Sequence, residues 1–203
     1  MRMCLPLCSP TSMLAWMGLL VAGVLVFIGA HLLPSFSQVR SGLRERLGVG
    51  PYMGLFSLAA LTGLILVIVG MGRAPFVEVW TPPPWGRQVA IFVMPVALTL
   101  FIGAYMPSNL KRFIRHPMLL GVALWATAHL LANGDLASLI LFGSFGAFAV
   151  FDIWSANRRG AERSAKVAPR WQDLLLVAAG AVVYVGILHG HCWLFGMPVA
   201  FSG

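Results

Sequence analysis

Acidic side chains are nearly missing from this sequence, which sets 6 Asp and Glu against 14 Lys and Arg over 203 residues. Chemistry that needs paired carboxylates is therefore almost excluded. Only Asp152 falls where a carboxylate would stand at membrane depth, and Arg158, two turns away, makes it a structural ion partner. Charged residues of both signs reach only 10% of the chain, whereas a soluble domain carries roughly 25%. Too few polar residues are left to cover a water-soluble core.

Cysteine is scarce as well. Cys4, Cys8 and Cys192 supply neither a metal framework nor an evident disulfide set. There is no glycine-rich dinucleotide loop, no Walker loop, and no GxSxG, CxxC or HExxH motif. Those absences remove the common nucleotide-binding, serine-hydrolase, dithiol and zinc-protease classes.

What the chain has is apolar length. Hydrophobic residues make up 59% of it, and the mean hydropathy is +0.87. The pattern predicts an all-α polytopic membrane bundle of about six spans: Met13–Leu33, Tyr52–Met71, Val89–Tyr105, Met118–Leu131, Leu136–Trp154 and Asp173–Phe195. Most approach the ~20 residues that cross a bilayer. The fourth does so only if its helix starts in the basic loop before it. Pro95 marks a kink in the third span, and Pro82-Pro83-Pro84 excludes helix from the loop before it. Trp80 and Trp85 in that loop suit the headgroup layer. Residues 1–12 read as an N-terminal leader and 13–203 as one six-span domain. The first apolar run is long for a signal peptide and has no clear cleavage site. Met13 and Met17 are alternative starts.

A net charge of +8 and a pI near 10.5 would point to nucleic acid in a soluble protein. Here the cations fall in alternate loops: Arg40, Arg44 and Arg46; Lys111, Arg112 and Arg115; and Arg158, Arg159, Arg163, Lys166 and Arg170. Only Arg2, Arg73 and Arg87 lie elsewhere. That asymmetry is a topology signal and places both termini outside. The partner it implies is the lipid bilayer, with no nucleic acid.

The groups left for chemistry are histidines. An imidazole inside an apolar helix is a candidate functional site by default. The stretch Ile114–Asp135, IRHPMLLGVALWATAHLLANGD, carries two of the five. If the first helix continues past Pro34, His31 lies about 14 Å from the basic edge. His129 lies about 20 Å from the same edge, thirteen residues after His116. The mismatch of about 6 Å compares with roughly 4 Å between two axial nitrogens on one metal, and helix tilt closes such a gap. His129 shares its face with Val122, Trp125 and Ala126, and His31 with Val24, Phe27 and Ile28. Two apolar walls, each with one nitrogen ligand, suit a flat hydrophobic macrocycle such as haem. The alternative is an imidazole hydrogen-bonded to a neighbouring helix. His189-Gly190-His191-Cys192 looks like a metal site, yet Gly190 in its middle favours a solvated helix end. His116-Pro117 can simply mark a helix start, since proline in the first turn costs no hydrogen bond.

GAHLLPS at Gly29–Ser35, RHPMLLG at Arg115–Gly121, ATAHLLANGD at Ala126–Asp135 and HGHCWLFGMPV at His189–Val199 resemble the NnrU family. The resemblance runs from about Met17 onward. It implies a multi-pass protein of the bacterial inner membrane, associated with denitrification and nitric oxide metabolism. It also implies kinship with the 15-cis-zeta-carotene isomerases, which use haem b for a redox-dependent cis–trans isomerisation. The haem ligands of those enzymes match His31 and His129 here. The alternative cysteine ligand of the isomerases is replaced by Ala126, and a glutamine after their RHP by Met118. The resemblance thus implies haem b on His31 and His129 as metal ligands, with His116 nearby or on the propionate side. Arg115 and Lys111 become candidate propionate partners. The function implied is redox, accessory or isomerase-like, acting on a hydrophobic or nitrogen-oxide small molecule. RHPMLLG is also similar to the RHPxYxG segment of isoprenylcysteine-type membrane methyltransferases, which bind S-adenosylmethionine. Leu119 replaces the tyrosine, and Glu162 alone remains of the acidic pair. A structural accessory subunit with unliganded histidines is the third reading.

Overall fold

The computed structural model describes residues 10–195. Within them the chain is a helical bundle without extended strands. The spanning helices are α1 (Pro10–Leu32), α3 (Val49–Arg73), α4 (Gly86–Gly103), α7 (Leu136–Arg158) and α8 (Arg170–Phe195). All five are long and apolar enough to cross a bilayer. The sixth apolar helix, α6 (Pro117–Ala132), has 16 residues. It rises about 24 Å, short of the ~30 Å hydrocarbon core. The N-terminal leader with Cys4 and Cys8, and the chain beyond Phe195, lie outside the described residues.

The fourth span therefore does not begin in the basic loop. Leu110–Phe113 forms a separate single turn, α5, and Pro117 opens α6 with His116 at its cap. Proline at that position gives up an N–H that has no helical partner anyway. A short span is tolerable because α6 is central: from Pro117 to Ala132 only Thr127 is exposed. Irregular backbone at membrane depth is admissible where protein, rather than lipid, surrounds it.

Side-by-side packing runs α3–α1–α7–α6–α4–α8. The outer faces of α3 and α8 stay apolar and exposed, for example Leu58 and Ile68 on one and Leu174 and Val182 on the other. That pattern fits lipid. The α1–α3 seam is backbone-close. A Cβ on Gly63 would stand 2.6 Å from the Phe27 nitrogen, and one on Gly70 would stand 2.6 Å from that of Leu20. Small residues at such seams let helices approach where lipid leaves no hydrophobic drive.

Pro95 sits inside α4 and supplies no N–H, so the Ile91 carbonyl loses its intrahelical donor. Tyr184 of α8 replaces it, donating its hydroxyl to Ile91 O at 3.0 Å. In hydrocarbon an unsatisfied carbonyl is expensive. The substitution thus ties α4 to α8.

Hydrogen bonds gather the three basic segments at one end of the bundle. Ser164 donates its amide to Lys111 O at 3.0 Å. Asn109 donates its backbone N and its Nδ2 to the two Asp173 carboxylate oxygens, each at 2.7 Å. Ser35 Oγ donates to Asp152 at 2.9 Å. Asp152 pairs with Arg159 at 3.5 Å. Arg158, the partner expected from spacing, instead lies over the Trp154 ring at 4.7 Å. The first basic segment, Ser35–Gly50, also departs from a simple loop. It folds into α2 (Ser37–Leu47), which Gly48 ends at φ +81°.

At the far end the short turn after α6 returns the chain antiparallel into α7, as its length requires. The loop before α4 clasps it: Val79 N–H donates to Gly134 O at 2.8 Å, and Leu136 N–H to Val77 O at 2.8 Å. Asp135 is thereby only 1% exposed. It caps α7 by accepting from Ser138 N at 3.1 Å and Ser138 Oγ at 2.7 Å.

Candidate functional site

His31 and His129 stand at the two ends of a continuous cluster of aromatic rings. His31 lies one residue before the end of α1, with Nδ1 at 2.8 Å from Phe27 O. Its ring stacks on Phe27 at 4.2 Å and meets Phe56 of α3 at 5.4 Å and Phe148 of α7 at 6.3 Å. His129 repeats the local arrangement on α6, with Nδ1 at 2.9 Å from Trp125 O. Its ring stacks on Phe142 at 4.7 Å and meets Trp125 at 5.6 Å. Phe27 and Trp125, the ring neighbours within each helix, belong to the faces read from spacing.

Helix α7 joins the two. Phe142, Phe145 and Phe148 recur every third residue along it. Phe145 meets Phe27 at 5.3 Å and Trp125 at 5.7 Å, which completes a path His31–Phe27–Phe145–Trp125–His129. The sequence shows this signal openly as LFGSFGAF, but read as a span it passed unremarked.

Along the same helix the contacts of His129 with Phe142 and of His31 with Phe148 are six residues apart, a rise of about 9 Å. The vertical mismatch expected from the sequence was about 6 Å. That expectation assumed that α1 continues past Pro34, whereas a 3-10 turn at Leu33–Ser35 ends α1 just after His31.

A backbone carbonyl beside Nδ1 places a proton on that nitrogen, so that in a neutral ring the lone pair is on Nε2, the arrangement usual for a metal-bound histidine. Among these histidines that bond is not distinctive by itself, since exposed His189 makes it too, to Val185 O at 2.9 Å. What sets His31 and His129 apart is the apolar, ring-lined enclosure. Two imidazoles among apolar rings are the kind of chemistry that a haem takes. The rings of Phe27, Phe145 and Trp125 lie between the imidazoles in this structure.

Arg115 and His116 come together elsewhere. Asn157 Oδ1 accepts from Arg115 NH1 at 2.7 Å and lies 2.9 Å from His116 Nε2. Asn157, which sequence reasoning missed, is nine residues beyond Phe148, about 14 Å further along α7. Lys111 donates Nζ to Ala104 O at 3.1 Å. These groups knit the basic end together, away from the ring cluster. Ala126, at the position of the isomerase cysteine, is 1% exposed. A Cβ on Gly146 of α7 would stand 3.4 Å from its own Cβ.

His189 and Cys192 are exposed, and His191 stands 4.8 Å from the Phe195 ring. Among the described residues no group of three His, Cys, Asp or Glu side chains could hold a metal ion.

An all-helical, multi-pass membrane protein with a histidine and aromatic interior is the class these features define. The chain belongs to the NnrU protein family, which it matches over residues 19–199. No curated protein and no solved structure matches it.

Proposed function

We propose that this protein resides in the bacterial cytoplasmic membrane and holds one haem b through His31 and His129. The observation that supports the reading is that two backbone-anchored imidazoles, on α1 and α6, border one ring-lined interior; both would reach one iron once Phe27, Phe145 and Trp125 withdraw from between them. Haem b there would supply a one-electron redox centre. The protein's own part is to fix each imidazole by its Nδ1–carbonyl bond, present Nε2, and exclude water with Phe27, Trp125, Phe142, Phe145 and Phe148. By the positive-inside rule, the end gathered by Asn109, Asn157 and Asp152 faces the cytoplasm. The family's association makes nitrite and nitric oxide metabolism the setting, with a redox or accessory role. Haem-dependent cis–trans isomerisation of a hydrophobic substrate is the activity to assay beside it.

The test is an absorption spectrum of detergent-purified protein from haem-replete cells, oxidised and then reduced with dithionite. A Soret band with sharp α and β bands on reduction is expected from low-spin iron. His129→Ala and His31→Ala should each abolish the low-spin bands while membrane insertion persists. A colourless wild-type preparation, or variants with unchanged spectra, would overturn the assignment. Titration with S-adenosylmethionine separates out the methyltransferase reading, since binding of that ligand is not expected.

A further inference from the structure

Helix α2 is an amphipathic helix whose apolar side is only partly covered by the rest of the protein. Val39, Leu43 and Leu47 recur at every fourth position and span an arc of about 80°. Phe36 at the N-cap extends the apolar side. Arg40 and Arg44 flank this stripe on one edge and Arg46 on the other. Ser37, Gln38, Ser41 and Glu45 take the opposite side. No residue of α2 is buried; Val39 is 52% and Phe36 54% exposed. Only Gly42 and Leu43 are half-buried, where the helix rests on the 3-10 turn and α3.

Geometry limits where this face can point. Helix α2 joins the end of α1 to the start of α3, two antiparallel helices in contact along their length. Packed helices lie ~8–10 Å apart, and 11 residues rise about 16 Å. The helix therefore crosses the end of that pair instead of extending either member. It lies beside the point where both apolar spans meet the polar boundary.

Charge then selects the occupant. Among the described residues, no carboxylate or other side chain pairs with Arg40, Arg44 or Arg46. In contrast, Lys111, Arg112 and Arg115, in the second basic segment, each bond a protein oxygen. Three free guanidinium groups bordering an exposed apolar stripe match an interfacial helix: the stripe enters the acyl boundary and the cations meet lipid phosphates.

We propose that α2 is a binding surface for the anionic phospholipid of the leaflet at the basic end. The proposal does not depend on haem. Full-length protein in neutral maltoside micelles is titrated with phosphatidylglycerol or phosphatidylcholine, and retained lipid is counted by native mass spectrometry. Wild type should retain phosphatidylglycerol preferentially. Changing Arg40, Arg44 and Arg46 together to Gln should weaken that affinity by about tenfold or more. Changing the same three to Lys should preserve it and shows that the fold tolerates the site. A Gln triple at Arg163, Lys166 and Arg170, with equal charge loss at the same end, should cost less than about threefold. Equal losses in the two Gln triples, or equal retention of both lipids, would overturn the proposal. Displacement of the lipid by millimolar inorganic phosphate would overturn it too, because the site would then be one for a free anion.

Discussion

His31 and His129 have the same local geometry and opposite surroundings. Each bonds the carbonyl four residues back and stacks on a phenylalanine. Yet His129 sits on the central, almost fully covered α6, and its depth is set by the clasped turn at Asp135. His31 sits at the end of α1 in an outer pair, and its position depends on how closely α1 approaches α3 and on a polar link to α7. One imidazole is held by a turn and the other by a seam, so the two can be disturbed separately.

The seam gives the larger effect. Gly63→Leu puts a branched side chain where Phe27 backbone stands, and no flexible group is there to give way. Overpacking of this kind costs about 3 kcal/mol. Phe27 and His31 should be displaced while the α6–α7 turn survives. Hydrogen exchange on the detergent-solubilised protein should show lost protection along α1 and α3 and near-native protection at Ser138. Uniform loss over all helices would mean that the two histidine regions are one cooperative unit.

Asp135→Ala tests the other member. The carboxylate holds the Ser138 amide and hydroxyl in a buried turn, so truncation removes a helix cap and leaves both donors unsatisfied. The expected cost is about 2 kcal/mol, with Asp135→Asn recovering part of it. Thermal unfolding should fall accordingly, and early exchange should appear at the start of α7. The α1–α3 seam should stay protected. Native-like exchange at Ser138 in the alanine variant would show that the backbone clasp from Val77 and Val79 suffices.

The bundle itself was legible in the sequence, because apolar length and alternating basic segments are local quantities. So was the start of α6 at Pro117. Helix α2 was not: its arginines read as loop charge, although Val39, Leu43 and Leu47 already had helical spacing. Asp152 was assigned its structural role but the wrong arginine: at about 100° per residue Arg159, seven residues on, returns to the Asp152 face, whereas Arg158 lies about 120° away. Pro95 announced an orphaned carbonyl, but nothing in the spacing could name Tyr184, 93 residues away. The same holds for Asn157, which collects Arg115 and His116 across more than forty residues. For the histidines the sequence supplied the faces and two of the six rings, Phe27 and Trp125. The connecting stripe on α7 was visible as a period of three, but its meaning depends on which helices it touches.

The smallest perturbation bears on the least protected part of the comparison. Ser35 lies just beyond the end of α1, and its hydroxyl donates to Asp152 of α7 at 2.9 Å. It is a polar tie between the His31 end of α1 and α7. Hydrogen bonds between membrane helices are worth about 0.6 kcal/mol on average. Ser35→Ala should therefore hardly move the global unfolding temperature. Its effect should be local: faster exchange over the last turn of α1 and in the 3-10 turn, with no change around His129. Because Asp152 keeps Arg159 at 3.5 Å as a second partner, the carboxylate is not orphaned and the loss stays small. A large drop in global stability would instead mean that Ser35 and Asp152 anchor the whole α1–α7 contact, and that the His31 region is held by polar bonding more than by its close-packed seam.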